Sequence, residues 1–231
     1  DSGPPPPFCD PSYGHLFCAD FEDTDVAKGF GSPQGGVVTR DTTLSSEQAA
    51  SARFTADSTI DAGLSGSSAT LTTAGATAGL MSIGKRQVTF DVYIPSTFSF
   101  PSANQSVVLA QLYFVNGQDV SVNFNVNYRN AGVTLSHVRG SFYEGGDSLN
   151  TPLPKNQWIT FSLTADGTVS TMPYRFTYRI AGGNEVVVGE GTDSKLTAVA
   201  NMGTPRTFVR IGPQIFQEDV PAITLNYDRV A

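Results

Sequence analysis

The feature that most constrains this chain is a hydrophobic period of two. From Val120 to Arg129 the residues alternate, with Val122, Phe124, Val126 and Tyr128 on one side and Asn123, Asn125, Asn127 and Arg129 on the other. The same pattern places Val88, Phe90, Val92 and Ile94 on one face of residues 87–94, and Ile159, Phe161 and Leu163 on one face of 158–163. In 174–180, Tyr174, Phe176, Tyr178 and Ile180 stand opposite Arg175 and Arg179. Successive side chains of a strand point to opposite faces, so each segment reads as a strand with one buried and one wet side. Helical spacing of apolar residues is absent over any long window, and only 42–50 offers a short turn.

Further strands are expected at 16–21, 52–55, 69–73, 79–83, 107–115, 133–139, 185–188, 208–211 and 223–230, with turns at Asn116-Gly117 and Gly182-Gly183. About a dozen short strands in sequence make an all-β sandwich or barrel. At 231 residues, with no repeat and no compositional break, one domain is expected. Residues 15–231 form it, and 1–14 are a proline-rich tether and disulfide loop. Pro4 to Pro7 favour a stiff polyproline II spacer of the kind left after a signal or lipoprotein peptide is removed, with a cloning remnant as the alternative, so the chain is expected to be secreted or surface-tethered.

The two cysteines, Cys9 and Cys18, enclose a turn-rich loop containing Pro11, Gly14 and His15. An even, close pair in such a chain reads as a disulfide. A zinc site is the rival; it needs two more ligands, and only His15 is near. The net charge of −7 argues against a nucleic-acid partner, and no apolar run reaches the roughly 18 residues of a membrane span. No phosphate loop, dinucleotide fingerprint or nucleophile elbow is present, and the six glutamates are scattered.

Four segments in order resemble secreted bacterial concanavalin-A-like, laminin-G-like jelly rolls. Leu16-Phe17-Cys18-Ala19-Asp20-Phe21-Glu22-Asp23 resembles their opening segment, Gln87 to Pro95 a long central strand, Trp158 to Leu163 a "W-x-x-F-x-L" strand, and Leu225-Asn226-Tyr227-Asp228-Arg229-Val230 the closing one. The resemblance implies a two-sheet antiparallel β-sandwich with one concave sheet. Members of the family bind glycans, cleave polysaccharides or serve in adhesion, and fold alone does not choose among these. It also implies a structural Ca2+ where the first and last strands meet, on Asp20, Glu22 and Asp228, since a hard cation seeks clustered oxygens.

The expected glycan site is the polar row of strand faces: Gln111 and Tyr113; Asn123, Asn125, Asn127 and Arg129; His137 and Arg139; and Arg175, with Tyr143 as an exposed stacking platform in a glycine-rich loop. Amides match sugar hydroxyls as paired donor and acceptor, and guanidinium forks match uronate carboxylates. Three alternate asparagines in one strand need a reason, because asparagine disfavours strands. The preferred function is non-catalytic recognition of a glycan or cell-surface polysaccharide. The alternatives are a uronate polysaccharide lyase using Tyr113 or His137 as base with Gln111 and Arg139, and an adhesion module with a protein partner and no sugar site.

Overall fold

The computed structural model describes residues 8–46, 49–56, 67–73, 84–100, 105–116, 120–140, 142–169, 171–192, 205–215 and 222–231. Within them lie fourteen strands: β1 (Gln34–Gly35), β2 (Val37–Asp41), β3 (Ser51–Ala56), β4 (Ser67–Thr72), β5 (Lys85–Tyr93), β6 (Ser106–Asn116), β7 (Val120–Arg129), β8 (Gly132–Arg139), β9 (Phe142–Leu149), β10 (Trp158–Asp166), β11 (Pro173–Ile180), β12 (Val186–Thr192), β13 (Pro205–Ile215) and β14 (Ile223–Asp228). The described residues contain no α-helix, only a 3-10 turn at Pro11–Tyr13.

The strands form two antiparallel sheets. The front sheet has the order β1-β4-β13-β6-β7-β8-β9, and the back sheet β12-β11-β10-β5-β14-β3-β2. Alternation does the sorting. Phe90, Phe161, Phe176, Phe54 and Tyr227 turn inward from the back sheet to meet Leu112, Phe114, Phe124 and Leu135 from the front, and all are buried. Each such side chain contributes roughly 1.5–3 kcal/mol by leaving water. Polar bonds also join the sheets: the Tyr227 hydroxyl donates to the Leu109 carbonyl at 3.0 Å, and the Tyr174 hydroxyl to Asp147 Oδ2 at 2.6 Å. Leu109 lies at a bulge, where β6 runs from Val108, paired with Asn127, to Ala110, paired with Val126.

The ends of the chain segment meet as expected, but not as a long strand. Ala19 and Val230 exchange backbone hydrogen bonds of 2.8 Å, and this is an isolated bridge. Extension stops because Phe21 adopts φ 59, a left-handed conformation, and buries its ring parallel to Phe30. The expected strand at 16–21 is therefore a loop pinned by one bridge. Cys9 and Cys18 form the disulfide.

Residues 142–149 are the opposite case. Glycines suggested a loop, and the structure has β9 there. A Cβ on Gly146 would stand 2.3 Å from the Leu135 carbonyl, so glycine is what lets β9 lie against β8. The segment 79–83, Gly117 and Pro4–Pro7 lie outside the described residues.

Candidate functional site

The outer face of the front sheet is polar because β6, β7, β8 and β13 each turn their polar positions the same way. Register aligns them in rows. One row runs Thr72, Arg210, Gln111, Asn125, Ser136 and Gly146 across β4, β13, β6, β7, β8 and β9. The neighbouring row runs Phe208, Tyr113, Asn123, Val138 and Tyr143.

These side chains form one hydrogen-bonded network. Gln111 Nε2 and Asn123 Nδ2 both donate to Asn125 Oδ1, each at 2.9 Å. Asn127 Nδ2 donates to the Asn125 carbonyl at 2.9 Å and to Ser136 Oγ at 2.8 Å. Arg210 donates through Nη1 to Gln111 Oε1 at 3.3 Å and to the Tyr113 hydroxyl at 3.4 Å, and through Nε to Thr72 Oγ1 at 3.3 Å. Its guanidinium lies 5.4 Å from the centre of the Tyr113 ring, which stacks on Phe208 at 4.5 Å. Burial raises the Tyr113 hydroxyl above its ordinary pKa, and the nearby Arg210 charge and Gln111 hydrogen bond only partly offset this. Asn123 Oδ1 is buried with no hydrogen-bond partner.

The expected site is thus partly assembled. Gln111, Tyr113, Asn123, Asn125 and Asn127 come together as one patch. Arg129 shares their face at the far end of β7, exposed beside the turn. Tyr143 is on β9, not in a loop, and its ring is 66% exposed at the edge of the second row.

Three expectations need correction. His137 pairs with Phe124, so it faces the interior, packed 5.0 Å from the Phe124 ring and 4.5 Å from the Tyr174 ring. Arg139 pairs with Val122 and follows the same parity, away from the asparagines. Arg175 belongs to β11 of the other sheet, where it is ion-paired with Glu185 at 2.7 Å and with Glu190. The physical reason for the first two is that β8 alternates Val133, Leu135, His137 and Arg139 on the buried side.

Sequence reasoning missed Arg210, Phe208, Thr72 and Ser136. A signal for Arg210 existed, since it sits between Val209 and Ile211 and must take the opposite side of its strand. Its pairing with Gln111, far along the chain, had no local signal.

Similar solved structures share this architecture. The cellulose-induced protein Cip1 superposes with a TM-score of 0.55 at 16% identity, covering 93% of this chain and 95% of its own. The alginate lyase vAL-1 from Chlorella virus gives 0.58 at 7% identity, over 93% and 97%. The catalytic domain of a glycoside hydrolase family 131 protein from Coprinopsis cinerea gives 0.55 at 14% identity, over 87% and 83%. No protein-family model matches the chain, and no curated protein does. At these identities the likeness speaks for the fold, which is a concanavalin-A-like jelly-roll β-sandwich.

The three carboxylates expected around a cation divide. Glu22 Oε1 accepts from the Ala50 amide at 2.9 Å, and Asp228 Oδ2 accepts from the Ser46 amide and hydroxyl, both at 2.9 Å. Both therefore address the segment 46–50, one at each end. Asp20 turns instead to the Glu22 amide at 3.3 Å. Asp228 is wholly buried, and burial pushes its pKa up to about 6, against hydrogen bonds from Ser46 and Arg229 that lower it. Asp91 is its register partner on β5; one Asp91 oxygen takes Arg229 at 2.5 Å and the other is buried without a partner. Among the described residues no three carboxylates, histidines or cysteines converge as ligands. A cation here would draw on Glu22, Asp228 and the Ser46 hydroxyl, with Arg40 already 3.6 Å from the other Glu22 oxygen.

Proposed function

We propose that the chain is a carbohydrate-recognition module that binds a glycan on the outer face of the front sheet. One observation carries this reading: the continuous row from Thr72 through Arg210, Gln111 and Asn125, whose side chains are hydrogen-bonded in sequence, to Ser136, held by Asn127. Locked donors and acceptors lose little freedom on binding, which favours recognition. Phe208 and Tyr113 supply apolar ring surface beside the polar row. An alginate lyase and a glycoside hydrolase catalytic domain among structures of the same fold support a carbohydrate ligand. The disulfide supports an extracytoplasmic setting. A Ca2+ on Glu22 and Asp228 would be structural, since both lie on the side of the molecule governed by the back sheet and its loops.

The test is calorimetric titration with neutral and uronate oligosaccharides, with Arg210→Ala and Asn125→Ala in parallel. Loss of binding in both variants supports the site; binding that ignores both removes it, as would a partner that proves to be protein.

A uronate lyase is the second reading, favoured by the 3.4 Å contact between Arg210 and the Tyr113 hydroxyl. Arg210 would neutralise the uronate and Tyr113 would take the proton. Burial works against this by keeping the phenol protonated, and His137 is turned away. Ultraviolet absorbance from an unsaturated uronate product, abolished by Tyr113→Phe, would establish the lyase over the binder.

A further inference from the structure

A cavity of about 200 Å³ opens between the two sheets at the end of the sandwich, behind the glycan face. Its walls are Val88 of β5, Leu112 of β6, Val209 of β13 and Val230, all apolar, and the segment from Gly14 to Phe17 roofs it. An apolar cavity of about 150 Å³ is large enough for benzene. Thr207 also lines this one. Its residue is 3% exposed, and its Oγ1 is buried with no hydrogen-bond partner. The other hydroxyl on the wall, Thr73 Oγ1, is already engaged with the amide and carbonyl of Val209. Thr207 Oγ1 is thus the hydroxyl on this wall without a partner, while His15 and Gln87 also border the cavity.

The mouth differs from the interior. Lys85 and Arg86 stand there, and Leu16 covers it while remaining 54% exposed. An apolar interior, a single unmatched hydroxyl and a basic mouth specify one chemistry. We propose that this cavity binds a small aryl or alkyl carboxylate of about ten non-hydrogen atoms, with its apolar body between the sheets. One oxygen meets Thr207 or the basic mouth. The site is separate from the glycan face: Leu112, Thr207 and Val209 point inward from the same strands that carry Gln111, Tyr113, Phe208 and Arg210 outward. The inference does not rest on the glycan reading.

The experiment uses the full, disulfide-intact chain and two probes, benzoate and benzyl alcohol, titrated by calorimetry and by NMR shift perturbation. Benzoate is expected to bind one to one and more tightly than benzyl alcohol. Thr207→Val, nearly isosteric, should weaken benzoate by about tenfold, and Lys85→Gln should reduce the preference for benzoate. Val209→Phe should fill the space and abolish binding of both. If that variant fails to fold, Val209→Met serves, and it should weaken binding of both. The proposal falls if neither probe binds at millimolar concentration, if benzyl alcohol binds and benzoate does not, or if both bind unchanged to Thr207→Val and to the filled variants.

Discussion

Asn123 donates its amide to Asn125 at 2.9 Å, and the carbonyl of Asn123 itself is buried without a donor. Asn125 Oδ1 is saturated by two donors, from Asn123 and Gln111, so the orientation of its amide is fixed. The asparagine ladder is therefore a rigid template. Replacing Asn125 by alanine strands two donors at once. We expect a stability loss of about 1–3 kcal/mol together with at least a tenfold loss of glycan affinity. Thermal unfolding and calorimetry read the two effects separately. Unchanged stability would show that Gln111 and Asn123 find other acceptors.

Asp41 gives a pH prediction. Burial pushes its carboxyl up, but hydrogen bonds from Thr43 and Asn226 and the charge of Arg53 outweigh this and lower it from 3.8 to about 2. A depressed carboxyl contributes stability that is fully present above its unfolded pKa and disappears as pH falls through the folded one. The contribution is about 2 kcal/mol above pH 4, lost between about pH 4 and 2. Denaturant unfolding at a series of pH values should show this loss, and Asp41→Asn should be less stable at neutral pH with a flatter acid limb. An equally steep limb in the variant would assign the acid sensitivity elsewhere.

Calcium should raise the melting temperature of chelator-treated protein. At a hundredfold excess over the dissociation constant the stabilisation is about 2.7 kcal/mol, or several degrees for a domain of this size. Glu22→Gln and Asp228→Asn should each remove the response, whereas Asp20→Asn should keep it, because Asp20 faces its own loop. A calcium response surviving in both of the first two variants would place the ion elsewhere.

Reduction of Cys9–Cys18 should lower stability by about 2–3 kcal/mol, the loop-closure value for a separation of 9 residues. The N-terminal loop it secures covers the cavity mouth at Leu16 and Phe17. Reduced protein should therefore exchange the Ala19 amide, bonded to Val230, faster than oxidised protein. Hydrogen exchange measures this; equal rates would show that the Ala19–Val230 bridge holds the segment without the disulfide.

Much of this arrangement was written in side-chain alternation. The span of β7 follows from its pattern alone, and its asparagine face was readable with it. The errors came where alternation had to be carried from one strand to the next. His137 shares its side of β8 with Val133 and Leu135, a local signal that marks it as inward. Grouping it with the asparagines ignored that signal in favour of its chemistry. Arg210 was hidden for the opposite reason: its strand was legible, but its neighbours come from sequence-distant pairing of β13 with β4 and β6. β9 was hidden because glycine usually interrupts strands, whereas Gly146 is there to admit a neighbouring backbone.

The bulge at Leu109 changes how β6 can be read. Before it, Val107 pairs with inward-facing Tyr128; after it, Gln111 pairs with outward-facing Asn125. Odd-numbered positions thus serve the apolar core at one end of a single strand and the hydrogen-bonded polar face at the other. The Tyr227 hydroxyl, reaching from the opposite sheet to the Leu109 carbonyl, secures the place where that exchange occurs. One extra residue, clasped from behind, is what lets an almost unbroken apolar run place Gln111 and Tyr113 among the asparagines of the polar face.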